Sequence, residues 1–359
     1  MADQDFQQGF VYTGLPTRVI FGFGTRARVG EELRRLGIQR PFVLLSPRRA
    51  PEAQALVAGH GIEIASVFTG AVMHTPVDVT NRALAIVEET RADGLIALGG
   101  GSTIGLGKAI ALRTDLPQLV LPTTYSGSEM TPNLGETSEG RKKTVRSPKI
   151  QPEAVIYDVE LTLSLPHALS ATSGMNAIAH GVEGLYAQDR NPIISLMALE
   201  GIRALAECLP VVVDRPLDRT ARATALYGAW LCGTVLGSVG MALHHKICHV
   251  LGGSFGLPHA ETHTVILPHV VSFNAHTVDA ELRPVTEILH SLGAGQGLFD
   301  LARRLKAPTA LAEIGMLSGE LDRAAALVME SPYYNPRQPT QEEIRVLLED
   351  AFNGRRPAL

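Results

Sequence analysis

Near residue 160 the sequence changes rhythm, and the change decides the kind of fold open to it. Before that point short β-branched or apolar runs, RVIFG, PFVLLS, IEIASVF, GLIALGGG, QLVLPTT and AVIYD, alternate with amphipathic stretches such as ARVGEELRRLG, DVTNRALAIVEETRA and STIGLGKAIALR. Such alternation predicts parallel βαβ units covered by helices. After Pro166 the pattern is almost entirely helical, as in SLMALEGIRALAECLPVVV, TARATALYGAWLCGTVLG and LDRAAALVMES. The expected architecture is an α/β N-terminal nucleotide-binding domain with a parallel sheet over residues 1–160, then an all-α C-terminal domain over 161–359. A chain of 359 residues that is 45% hydrophobic can bury the cores of two such domains. The polar stretch Glu139 to Pro152, EGRKKTVRSPKIQP, is expected to be a loop or an irregular hairpin.

Charge excludes some partners. The 32 basic and 36 acidic residues give a formal net charge of -4 with no long run of either sign, which argues against a nucleic-acid or membrane surface and for small-molecule chemistry. The three cysteines, Cys208, Cys232 and Cys248, show no CxxC spacing and read as reduced thiols. No signal-peptide order is visible at the start, and a cytoplasmic location is expected.

Three motifs carry chemistry. In GLIALGGGSTIGLGKAIAL an apolar strand runs into three glycines and Ser102 opens a helix, so backbone N–H groups and a positive helix end face whatever approaches. Gly100, Gly101 and Ser102 read as a phosphate cradle, although glycine clusters after strands also serve as plain tight turns. In VLPTTYSGSEMTP hydroxyls on Thr123, Thr124 and Ser126 follow a strand end, the place where open α/β sheets bind ligands. In LHHKICHVLGGSFGLPHAETH five of the 12 histidines fall within twenty residues, with His245 and His249 on one helical face and His259 on a following segment. His180 lies four residues after Asn176 on another helix. Imidazole serves as metal ligand, general acid or base, or anion partner, and spacing leaves all three open.

Together GGGST, PTTYSGSE, YDVELTLSLP, GMNAIAHGVE, HHKICHVLGG, LPHAETHTVILPHV and a late NPR at Asn335 to Arg337 resemble the iron-containing, group III alcohol dehydrogenase family. The resemblance runs nearly the whole chain and implies the dehydroquinate synthase-like fold, NADH or NADPH as cofactor and a homodimer. In metal-dependent members an Asp and three His hold the ion. The matching positions here are Asn176, His180, His245 and His259, and a neutral amide in place of the carboxylate weakens a metal site. Asn at that position with HHKICHVLGG resembles the branch of maleylacetate reductases, which require no metal and reduce the C=C bond of a dicarboxylate. A metal-dependent alcohol or polyol dehydrogenase, a lyase like dehydroquinate synthase and a non-enzymatic NAD-binding protein are the alternatives.

The resemblance assigns His245 and His249 to the reacting atoms, one as proton donor, with His180 and His259 completing the pocket beside Asn176. Thr123, Thr124 and Ser126 would line the cofactor, and Lys142 aligns with a cofactor-contacting lysine. Lys246 and Arg337 are the candidate anchors for substrate carboxylates. At the end of the second strand Ser46 and Pro47 stand where an acid would grip the ribose of NAD, and Arg48 and Arg49 follow, which leans toward use of NADPH as well.

Overall fold

The computed structural model describes residues 9–138 and 141–358, without the side chains of 141 and 142. Contacts divide the described chain into a unit of Leu15–Leu165 and a second unit that holds residues 166–358 together with 9–14. The division falls after Leu165 rather than after residue 160. Arg49 explains the extra residues, since its guanidinium donates to the Leu161 carbonyl and the Ser164 hydroxyl, both at 3.1 Å.

In the first unit β1 (Arg18–Gly22), α1 (Val29–Arg35), β2 (Pro41–Leu45), α2 (Ala53–Val57), β3 (Ser66–Phe68), α3 (Val77–Thr90), β4 (Gly94–Gly99), α4 (Gly101–Thr114) and β5 (Gln118–Pro122) alternate as expected. A hairpin of β6 (Asn133–Ser138) and β7 (Arg141–Arg146) follows, then β8 (Ala154–Asp158). The hairpin is regular and antiparallel, with Leu134 opposite Val145 and Glu136 opposite Lys143. The six-stranded sheet has the order β1-β8-β5-β4-β2-β3, and its pairs are parallel. PFVLL, GLIALG and QLVLP are buried at every position, which is why they read as unbroken apolar runs. From β2 the chain steps outward to β3, and from β4 it steps the other way to β5. The ends of β2 and β4 therefore flank a topological switch point, where such sheets take ligands.

The second unit consists of α5 (His167–Leu185), α6 (Pro192–Asp214), α7 (Arg219–Ser238), α8 (Leu243–Phe255), α9 (His259–Asn274), α10 (Asp279–Ile288), α11 (Ala294–Arg304), α12 (Leu321–Met329) and α13 (Gln341–Phe352) with short connections. Every residue of α5 from Ser170 to Leu185 is buried, as befits a helix surrounded by others. Glycines make that closeness possible: a Cβ at Gly174 would lie 2.5 Å from Leu209 on α6, and one at Gly184 would lie 2.1 Å from Val235 on α7. Cys208, Cys232 and Cys248 are free and buried. Among the described residues no single helix is long and apolar enough to cross a membrane; only α7 and α8 taken together meet that composition, and they are bent by 94°.

Candidate active site

In the first unit the two glycine and hydroxyl motifs converge at the switch point. Gly100 links β4 to α4, and the backbone N–H of Thr123, just past β5, donates to the Gly99 carbonyl at 3.0 Å. A Cβ on Gly100 would stand 2.9 Å from Thr124 Cγ2, whereas one on Gly101 meets nothing nearer than Ser126 at 3.7 Å. The Thr124 hydroxyl is buried with no hydrogen-bond partner among the described residues. A bare backbone turn at the start of a 14-residue helix, beside that hydroxyl, fits the pyrophosphate of a dinucleotide. Replacing Gly100 by Val is expected to raise the KM for the nicotinamide about tenfold or more and that for the second substrate far less. Steady-state kinetics with both substrates check it, and equal effects would count against the cradle.

Lys108, which the sequence reading passed over, braces this region. Its buried ammonium donates to the Thr131 carbonyl at 2.7 Å, the Thr131 hydroxyl at 2.8 Å, the Asn133 carbonyl at 3.1 Å and the Ser128 carbonyl. Four acceptors from one strand of chain fix the loop that carries Thr123 to Ser126. Burial pulls the amine down to about 7, against the nearby Glu129 carboxyl. Lys142 falls on β7 opposite Thr137, and its side chain lies outside the described residues. Arg49 is spent on Glu52, Leu161 and Ser164, which leaves exposed Arg48 as the cation at the end of β2.

The second unit gathers the histidines. Asn176, His180 and Glu183 occupy one face of α5 at spacings of four and three. Glu183, fully buried and likewise unassigned by the sequence reading, takes backbone N–H groups of Ala242 at 2.9 Å, His244 at 2.7 Å and His245 at 3.4 Å. It thus caps the N-terminus of α8 with a negative charge. The same carboxylate lies 2.6 Å from His245 Nδ1. His245 Nε2 lies 3.0 Å from His180 Nδ1, and His180 Nε2 lies 3.4 Å from the Asn176 amide nitrogen.

For neutral rings this chain has one solution. The carboxylate only accepts, so His245 carries its proton on Nδ1 and accepts at Nε2 from His180 Nδ1–H. His180 Nε2 then accepts from the Asn176 amide. An ionised Asp has no donor to offer there. The Asn176 side-chain oxygen is left buried without a partner among the described residues.

His249 is half-buried on α8, its ring 6.2 Å from that of His245, and His259 opens α9 with its ring 4.4 Å from that of His263. His263 lies beneath the cluster, 4.9 Å from His245 and hydrogen-bonded to His244 at 2.9 Å. Burial, reinforced by the neighbouring imidazoles, holds His244 and His263 well below the ordinary histidine value, so both are neutral. Lys246 stands on α8 beside His245 with its Nζ 5.8 Å over the Tyr333 ring. Arg337 is elsewhere. Its guanidinium stacks over Phe273 at 4.1 Å, donates to the Phe273 carbonyl and pairs with Glu343. Phe273 is ten residues along α9 from His263, about 15 Å of helix. The anchoring role expected of Arg337 is therefore corrected: its charge is already neutralised in a structural ion pair.

Sequence comparison decides the family. The pattern described as iron-containing alcohol dehydrogenase matches residues 16–159, and that of the C-terminal part of the Fe-containing alcohol dehydrogenase family matches residues 170–352. The chain belongs to the iron-containing alcohol dehydrogenase family. As a member it is an NAD(P)H-dependent oxidoreductase. It is 55% identical to a maleylacetate reductase of Rhizobium sp. strain MTP-10005, over 98% of this chain and 99% of that one. A maleylacetate reductase of Sphingobium indicum is 50% identical over 97% and 99%. The crystal structure of maleylacetate reductase from Agrobacterium tumefaciens superposes with a TM-score of 0.93 at 55% identity, covering 98% of this chain and all of that one.

The family name implies iron, and the donors here fit a divalent ion poorly. The matching quartet has no anionic ligand, two of its ring nitrogens bond to each other, and the nearby carboxylate is filled by four N–H groups. A separate buried group, His244, Cys248 and His263, has its ligand atoms within 4.8 Å of one another, but its two nitrogens are already hydrogen-bonded together.

Proposed function

We propose that this enzyme reduces the C2–C3 double bond of maleylacetate to give 3-oxoadipate, with NADH or NADPH and without a metal. The observation that carries the reading is the hydrogen-bonded chain from Glu183 through His245 and His180 to Asn176, found in a protein 47–55% identical to maleylacetate reductases. Carbonyl reduction puts charge on one oxygen, where a Lewis acid helps most. Reducing a C=C conjugated to the 4-oxo group leaves an enolate spread over C3 and oxygen, which hydrogen-bond donors and one acid can handle.

When bound, the reduced nicotinamide supplies the hydride that adds to C2. The chain's own residues do the rest. Glu183 fixes the tautomer and orientation of His245, and His180 and Asn176 hold the far side of the ring pair. His249 and His245 face the enolate, with half-exposed His249 placed to give C3 its proton and to regain one from solvent. His259 closes the polar wall.

The test is NADH oxidation with freshly generated maleylacetate beside simple aldehydes and glycerol, in the presence of a chelator. Turnover of maleylacetate with undiminished rate is expected. With 2-chloromaleylacetate, hydride at C2 and a proton at C3 give a product that loses HCl to regenerate the double bond, so two NADH are consumed per molecule against one for the parent. An alcohol at C4, one NADH in both cases, or activity lost on chelation and restored by metal would overturn the reading.

A further inference from the structure

Lys246 and Tyr333 form a second feature of the histidine site. Lys246 is three residues before His249, on the same face of α8, and both are half-buried. No carboxylate among the described residues lies within ion-pair distance of its ammonium; its neighbour is the Tyr333 ring, 5.8 Å below, a separation at which a ring face steadies a cation. The Tyr333 ring packs against the hydrophobic cluster built from α8, α9, α12 and α13. Its hydroxyl oxygen is buried and has no hydrogen-bond partner among the described residues. Burial pushes that hydroxyl up to about 12, so it keeps its proton and donates. A buried hydroxyl with no acceptor for its hydrogen, near an ammonium with no carboxylate in reach, offers O–H and N–H donors to an incoming carboxylate.

Depth decides which carboxylate. His180 and His245 are only 2% and 5% exposed, so the reacting carbons lie deep, and the C1 carboxylate is bonded directly to C2. The C6 carboxylate is carried outward by the saturated C5, toward the half-exposed rim where Lys246 and Tyr333 stand. We propose that Lys246 Nζ and the Tyr333 hydroxyl bind the C6 carboxylate and so make the site selective for a diacid. The assignment rests on the maleylacetate reading above.

The experiment compares maleylacetate with cis-4-oxopent-2-enoate, the same enone without the C6 carboxylate. Lys246→Met is expected to lower kcat/KM for maleylacetate about 100-fold, chiefly through KM, and that for the monoacid no more than about threefold. Tyr333→Phe should raise the KM for maleylacetate about tenfold, and Lys246→Arg should recover most of the loss. Turnover of the monoacid by Lys246→Met reports that the variant is folded. Equal losses on both acids, or no loss on either, would overturn the assignment while leaving the reductase reading in place. Wild-type enzyme that turns over neither acid would overturn both.

Discussion

Replacing Glu183 by Gln is expected to lower kcat on the order of 10²-fold while moving the KM for the nicotinamide little, because the change removes the charge behind His245 and does not touch the cofactor. The Glu183 oxygen that takes His245 Nδ1–H also takes the Ala242 and His245 backbone N–H groups, so a Gln keeps its carbonyl oxygen there, turns its NH2 against the His244 N–H and loses the charge that steadies His245. The directions of the bonds from His245 to His180 and on to Asn176 are kept, and the ring pair loses the carboxylate's charge. Glu183→Ala also strands the backbone N–H groups at the start of α8 and is expected to destabilise the fold by about 3 kcal/mol or more. Pre-steady-state kinetics and urea unfolding separate the two effects. A Gln variant with kcat within threefold of wild type would mean that the carboxylate only caps the helix.

Acidification from pH 7 to pH 5 is expected to remove about 2 kcal/mol of unfolding free energy through His269 alone. That ring is buried on α9, edge-on to Phe299 at 6.5 Å, with its Nε2 unpartnered among the described residues. Burial lowers it from 6.5 to about 4, with only Asp350 opposing. Since the folded value lies below the unfolded one, the unfolded chain binds more protons between about 4 and 6.5. The stability is whole above that window and is lost as pH falls through it, to a limit of about 3 kcal/mol. His244 and His263 are shifted in the same direction and add to the loss. Urea midpoints at the two pH values measure the effect, and His269→Leu should flatten it. An identical pH dependence in wild type and variant would show that His269 is not its source.

The sheet was legible because its strands are buried on both faces and so read as runs that no helix period explains. The β6–β7 hairpin was harder. Its strands are mostly polar, with one Leu in NLGETS and one Val in RKKTVR, so no alternation of apolar residues marks an inward face. The histidines of the site announced themselves by density, but Glu183 did not, since a lone acid in a helix reads as a solvent-facing residue. Its spacing of seven from Asn176 and three from His180, on a stretch otherwise without charge, was the available signal. Arg337 was misassigned for the converse reason: sequence shows a cation near a motif and cannot show that Glu343 and Phe273 have already claimed it. Among the three glycines of GGGST, only the structure tells which one faces the Thr124 wall.

The amide at residue 176 has a further consequence for how protons travel. An imidazole can take a proton on one nitrogen and release one from the other, so a row of rings conducts. A carboxamide can hold the last hydrogen bond of such a row but has no proton to hand on and no site to receive one, which makes Asn176 an insulator at the inner end of the wire. Glu183, roofed by four N–H groups, closes the other end. In the proposed reaction protons would then reach the site from its flank, where half-buried His249 stands on α8. The acid that protonates C3 in that reaction would thus be refilled from that flank and not through the buried pair of rings.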